Sequence, residues 1–164
     1  MIEFSDLECP FCRAFHETLE PVARKLGSRL HHEFMHFPIP AHRLAMPAAR
    51  AVECARAQDR ATAMVDVLFA LQDSLGVKPW ADLADSADVS SPGELFECFR
   101  DPTPVARIER DIALGQKLGV RGTPTVIVNG WRFAGTPREP LFSQTISYLL
   151  EGKDPFPKRL SHAP

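Results

Sequence analysis

Cys9-Pro10-Phe11-Cys12 follows a short apolar run, Met1-Ile2-Glu3-Phe4, and opens a helical stretch that begins Arg13-Ala14-Phe15-His16. A Cys-x-x-Cys at a strand-to-helix junction is a dithiol arranged for electron transfer, and it constrains the reading of the whole chain. Pro10 is preorganised for the first helical position, which leaves Cys9 at the N-cap and Cys12 about one turn further on. Residues three apart in a first turn can bring their sulfurs within bonding range. Cys9 also sits where unpaired backbone N–H groups and the positive end of the helix dipole converge, which favours a thiolate. Cys9 is therefore the expected attacking sulfur, and Cys12, shielded by the helix, the resolving one. Pro10 and Phe11 set the helix start and tune the thiolate, and neither carries a titratable group.

The competing reading of this pair is a structural zinc half-site with His16 as a third ligand. Such sites carry a second Cys or His pair at matching spacing, and the sequence has none. The expected site therefore holds no metal. His16 falls on the helix face of Cys12, four residues on, and reads as a packed or solvent-touching histidine. His31, His32, His36 and His42 scatter around a second strand and its exit loop, with no carboxylate or cysteine at ligand spacing, and read as structural.

Far down the chain, Gly119-Val120-Arg121-Gly122-Thr123-Pro124-Thr125-Val126-Ile127-Val128-Asn129-Gly130 reads as a helix end, a Thr-Pro step, a β-branched strand and a turn at Asn129-Gly130. Together with Glu3-Phe4-Ser5-Asp6-x-x-Cys9-Pro10-x-Cys12, this run resembles the DsbA-like branch of the thioredoxin superfamily. The resemblance continues through His36-Phe37-Pro38, His42, Cys54-Ala55 and Leu118-Gly119-Val120, and so spans nearly the whole chain.

The resemblance implies an α/β chain with a thioredoxin fold and an inserted helical block. Residues 1–40 and 119–153 are the expected fold core, 41–118 the insertion, and 154–164 a loose tail rich in proline. The periodicity agrees in outline. Pro10 to about Leu26 reads as a helix with Phe11, Phe15, Leu19 and Val22 near one face, a kink at Pro21 and a stop at Gly27. Leu30 to Phe37 alternates as a strand. Ala48 to Gln58 and Ala61 to Leu75 are helical, closed by Gly76, and a short piece follows near Trp80 to Leu83. Ser91-Pro92-Gly93-Glu94 has the pattern of a capping box, and Thr103-Pro104 begins a helix running to Leu118. Arg132-Phe133-Ala134 is the expected closing strand, and Glu139 to Glu151 the last helix.

The same resemblance assigns further site residues. Pro124 matches a proline that is cis in relatives and packs beside the dithiol. The missing N–H and fixed φ at Pro124 would leave the backbone of Thr123 free to pair with an extended substrate segment. Glu3 matches a carboxylate buried under the active site, where a raised pKa lets it relay the proton as Cys12 reacts. The opposing reading leaves Glu3 solvated at a strand edge. Asp6 is expected to turn the loop before the helix. Cys54 and Cys98 match cysteines of some relatives and are read as two buried free thiols. A structural bridge worth about 3–4 kcal/mol is the alternative.

The function implied is thiol–disulfide exchange with protein thiols, in the oxidase direction, with isomerase or reductase second. Relatives with histidine in place of Phe11 are strong oxidants, so this chain departs from them there. A non-catalytic peptide-binding module would have shown loss of Cys9, Cys12 or Pro124. Small-molecule enzymes of related fold commonly carry serine where this chain has Cys9. No bound cofactor is implied, because the dithiol itself carries two electrons. The expected partners are substrate proteins with cysteine thiols or disulfides, and a redox partner protein.

The remaining properties exclude other classes. A chain of 164 residues buries roughly 70% of its unfolded surface, enough for one core. The net charge of −2 comes with no basic stripe or tail, which argues against a nucleic-acid surface. No apolar run approaches the roughly 20 residues of a membrane span. Met1 leads directly into strand residues with no signal peptide, whereas DsbA-like relatives carry another strand and a secretion signal there. The expectation is a piece of a longer protein or a start assigned too late, in a periplasmic or otherwise extracytoplasmic setting.

Overall fold

Ile2–Ser5 (β1) forms one of the two inner strands of a four-stranded sheet, and its apolar residues alternate with polar ones that are themselves buried. The computed structural model describes residues 1–103 and 105–156. The sheet is completed by Glu33–His36 (β2), Thr125–Val128 (β3) and Trp131–Ala134 (β4), in the order β2-β1-β3-β4. β1 runs parallel to β2, with Glu3 opposite Phe34, and antiparallel to β3, with Glu3 opposite Val126. β3 returns into β4 through Asn129 and Gly130 at φ 46° and 88°, the two positive angles that a two-residue hairpin turn requires.

The parallel β1–β2 connection is made by Pro10–Leu26 (α1), which runs unbroken through Pro21 and ends at Gly27, whose φ is 53°. Phe15 and Leu19 of α1 pack with Val126, Val128, Phe142 and Ile146, so α1 and the last helix, Glu139–Leu150 (α7), share one face of the sheet. The alternation of β1 then sends Phe4 to the opposite face, where it meets Met35 and Val120.

Between β2 and β3 lie Ala45–Arg56 (α2), Ala61–Ala70 (α3), Trp80–Ser86 (α4), Pro92–Arg100 (α5) and Ala106–Lys117 (α6). α2 to α5 pack around a separate apolar core that includes Val52, Met64, Leu68 and Leu83, and Cys9 and Cys12 border it. α6 covers the Phe4 face through Leu114. No described helix is long and apolar enough to cross a membrane.

Four local expectations need correction. Phe11 does not share the buried face of Phe15 and Leu19; it is 64% exposed. Ser91 is the N-cap of α5 but makes no side-chain cap, and its N–H is taken by Gln58 Oε1 at 2.8 Å. Cys54 and Cys98 are not free thiols: α2 and α5 pack side by side with these Cα atoms 5.8 Å apart, and the two form a disulfide. The tail is anchored where it is described, with Pro155 buried and Phe156 against Trp131 and Phe133. Pro104, Pro157 and Pro164 lie outside the described residues.

Candidate functional site: a dithiol at the start of the first helix

The turn that leaves β1 places both cysteines. Asp6 O accepts the Cys9 N–H at 3.0 Å, and Cys9 O accepts those of Cys12 and Arg13 at 3.0 and 3.2 Å. Cys9 is thereby the N-cap of α1, in extended geometry with Pro10 next, as the sequence spacing predicts. Gln72, from the helical block, clamps this turn from outside by donating to Leu7 O (2.9 Å) and Cys9 O (3.1 Å). Thr136, after β4, donates to Phe11 O at 2.6 Å. Both cysteines are free thiols.

The two sulfurs differ in setting. Cys12 is fully buried, and Cys9 is 4% exposed, so Cys9 is less open than its place at a helix start implies. The hydrogen bond from the Cys12 thiol, aided by Thr123 and the backbone N–H groups of Cys12 and Phe11, outweighs burial and lowers the Cys9 pKa to about 5. Burial pushes the Cys12 thiol strongly upward, and its hydrogen bond to Cys9 adds to this. The Ser5 hydroxyl and the Asp6 N–H, 3.4 Å from Cys12 Sγ, act in the other direction and do not prevail. The pair is therefore asymmetric, with a thiolate at Cys9 and a thiol at Cys12 over the neutral range.

The Thr123–Pro124 peptide bond is cis, and Thr123 O lies 3.5 Å from Cys9 Sγ. Pro124 O accepts the Gly135 N–H at 2.8 Å, which ties this loop to the end of β4. Beside it, Arg121, Gly122, Thr123, Thr125 and Arg132 line a cleft of about 260 Å³.

Glu3 is 1% exposed, so it is not the solvated strand-edge residue of the opposing reading. Its Oε2 lies 2.9 Å from His32 Nε2, and its Oε1 is buried without a described hydrogen-bond partner. Ser5 is two residues along the same strand and therefore on the same face. His32 in turn lines a surface pocket of about 230 Å³ with His16, Arg56, Asp66 and Arg107.

His16, His32, His36 and His42 meet carboxylates after all, brought together by the fold and not by spacing. His16 pairs with Asp66 (3.2 Å) and packs against Phe69. His36 pairs with Glu53 (2.9 Å), whose pKa falls to about 2 because His36 and Arg56 outweigh its burial. His42 pairs with Asp6 (2.8 Å). Asp6 turns the loop as expected, its Oδ1 accepting the Glu8 N–H at 2.8 Å, and its Oδ2 also takes the Ile39 N–H at 2.7 Å. Gln72, Thr136, His32 and His42 are the contributors that sequence reasoning missed. Only Asp6, three residues before Cys9, stands close enough in sequence to have signalled its part.

Residues 1–147 match the family model described as thioredoxin. BdbD from Bacillus subtilis, in its oxidised crystal structure, superimposes with a TM-score of 0.79 at 25% identity, over 92% of this chain and 86% of that one. A variant of alpha-DsbA1 from Wolbachia pipientis gives 0.73 at 21% identity, over 92% and 85%. Among curated proteins, a Na(+)/H(+) antiporter NhaA 1 of Mycolicibacterium gilvum is 32% identical over 141 residues, 82% of this chain and 22% of the antiporter. The chain thus spans about a fifth of the length of the curated relatives it matches.

Proposed function

The chain belongs to the thioredoxin family, in its DsbA-like branch, and from that premise we propose that it exchanges a Cys9–Cys12 disulfide with the thiols of substrate proteins, in the oxidase direction. The observation that carries this reading is the asymmetry of the pair, a stabilised thiolate at Cys9 against a buried thiol at Cys12. A stabilised thiolate favours the reduced protein, and a disulfide whose reduced form is favoured is a strong oxidant.

A substrate thiolate attacks Cys9 Sγ in the disulfide, and Cys12 leaves and takes up a proton. A second substrate thiolate then attacks the substrate sulfur of the mixed disulfide and expels Cys9, whose low pKa makes it a good leaving group. Two substrate thiols become one disulfide; the protein keeps the two electrons and one proton, on Cys12, with Cys9 left as the thiolate, and the other proton passes to solvent. No cofactor is required in this exchange, and a redox partner protein restores the Cys9–Cys12 disulfide. In the reverse sense Cys12 must lose its proton to attack, and Glu3 takes that proton across the Ser5 side of the strand.

Thr123 and Pro124 form the substrate-binding edge, since the Thr123 carbonyl stands beside Cys9 Sγ where an extended segment would pair. Pro10 fixes the helix start, and Phe11 presents an exposed apolar ring to the substrate. The Cys54–Cys98 disulfide supports an extracytoplasmic location, because such bridges persist in oxidising compartments.

The test is trapping. Cys12→Ser should accumulate mixed disulfides with client proteins, because attack at Cys9 continues while resolution stops; Cys9→Ser should not. A diagonal gel of proteins released by reductant separates the two variants. Equal trapping by both, or none by either, overturns the reading.

A further inference from the structure

Pro10 and Phe11, the two residues between the cysteines, are both exposed, and neither carries a charge. An imidazole from outside the motif, that of His42, is nevertheless tied to the turn before Cys9. The segment after β2 is stitched to the turn before Cys9 at three points. Ile39 N–H and His42 Nδ1 meet Asp6 Oδ2 at 2.7 and 2.8 Å, and Leu44 N–H meets Glu8 Oε2. Asp6 is buried, and its backbone also accepts the Cys9 N–H and donates to Cys12 Sγ. One residue therefore fixes both cysteines and one imidazole.

We propose that His42, held by Asp6, is a positioning residue that stabilises the Cys9 thiolate with its positive charge, acting from outside the Cys-x-x-Cys. The proposal rests on the exchange reading of the dithiol. With Nδ1–H given to Asp6, the other ring nitrogen is free to hold a second proton, and the side chain is 30% exposed to the solvent that supplies it. Asp6, Glu8 and Cys9 are the titratable groups that face His42. Burial works against its charge, yet the hydrogen bond and charge of Asp6, with Cys9 and Glu8, raise its pKa. The coupling is reciprocal: whatever His42 contributes to the Cys9 thiolate, the thiolate returns to the imidazolium. Once Cys9 is in a disulfide it cannot ionise, so His42 loses one anion.

The experiment is an NMR titration of the His42 ring in the reduced and the oxidised wild-type protein, with His42→Gln used to assign the resonance. His42 should titrate about half to one pH unit higher in the reduced protein. In His42→Gln, the Cys9 pKa, read from thiolate ultraviolet absorbance, should rise by a similar amount, and His42→Lys should restore it. A His42 pKa that is the same in both redox states overturns the proposal, and that comparison needs no variant to fold. An unchanged Cys9 pKa in a folded His42→Gln overturns it equally. Either failure leaves mixed-disulfide trapping by Cys12→Ser intact, whereas failure of the exchange reading abolishes trapping itself.

Discussion

Glu3 Oε2 lies 2.9 Å from His32 Nε2, joining a carboxyl that is 1% exposed to an imidazole that lines a surface pocket. The pair gives a buried acid on the dithiol side of β1 a titratable neighbour in contact with solvent. That arrangement suits a group that must take up a proton from Cys12 and pass it on, since proton transfer needs hydrogen-bond reach at each step.

Glu3→Gln preserves the size of the side chain and can keep a hydrogen bond to His32, but it cannot accept a proton. Attack by Cys9 on a model peptide disulfide should proceed at the wild-type rate. The following step, in which Cys12 attacks the mixed disulfide, should slow by about 100-fold, within the usual contribution of a positioned base. Rapid acid quench with mass spectrometry resolves both steps. Wild-type rates in both would remove Glu3 from the mechanism.

The low pKa of Cys9 has a thermodynamic consequence. Its folded value is about 5, against about 8.5 for a free cysteine. Because the folded value is the lower one, the stabilisation is complete above the unfolded pKa and is lost as pH falls through about 5. Cys12, raised by burial, is protonated in both states below about pH 8.5 and contributes nothing there. The reduced protein should therefore gain thermal stability relative to the oxidised protein as pH rises from 5 to 8. Unfolding midpoints of the two forms across that range measure it, and a constant difference would place the Cys9 pKa near that of an ordinary thiol. Alkylation with peptide mapping at neutral pH should modify Cys9 first; preferential labelling of Cys12 would reverse their roles.

What the sequence made legible was local. Pro10 after Cys9, Gly27 after Leu26 and Asn129-Gly130 between two apolar runs each encode backbone geometry within a few residues, and each element forms where expected. The contacts that complete the site join residues far apart in the chain: Glu3 to His32, Asp6 to His42, Cys9 to Gln72 and Phe11 to Thr136. Nothing in their spacing marks them, because the topology of the sheet and the docking of the helical block bring them together. Phe11 was misread for a related reason. Helical periodicity assigns it to the face of Phe15, but periodicity does not tell where the covering layer ends.

Cys54 and Cys98 needed the same kind of information, since a bridge depends on how α2 and α5 face one another. At a sequence separation of 44, loop-closure entropy predicts that the disulfide stabilises the fold by about 4 kcal/mol. Replacing both, Cys54→Ala with Cys98→Ala, avoids leaving a lone thiol. It should lower the urea midpoint by about 2 M at the slope usual for a small protein. Exchange by Cys9 and Cys12 should persist in the folded variant, because neither helix cysteine bonds to the turn that holds the dithiol. Equilibrium unfolding of the wild type and the double variant, both with Cys9 and Cys12 reduced by a mild thiol, makes the comparison. Equal midpoints, together with two additional alkylatable thiols in the unfolded wild type, would mean that the bridge does not form in solution, and α2 and α5 would then be held by packing alone.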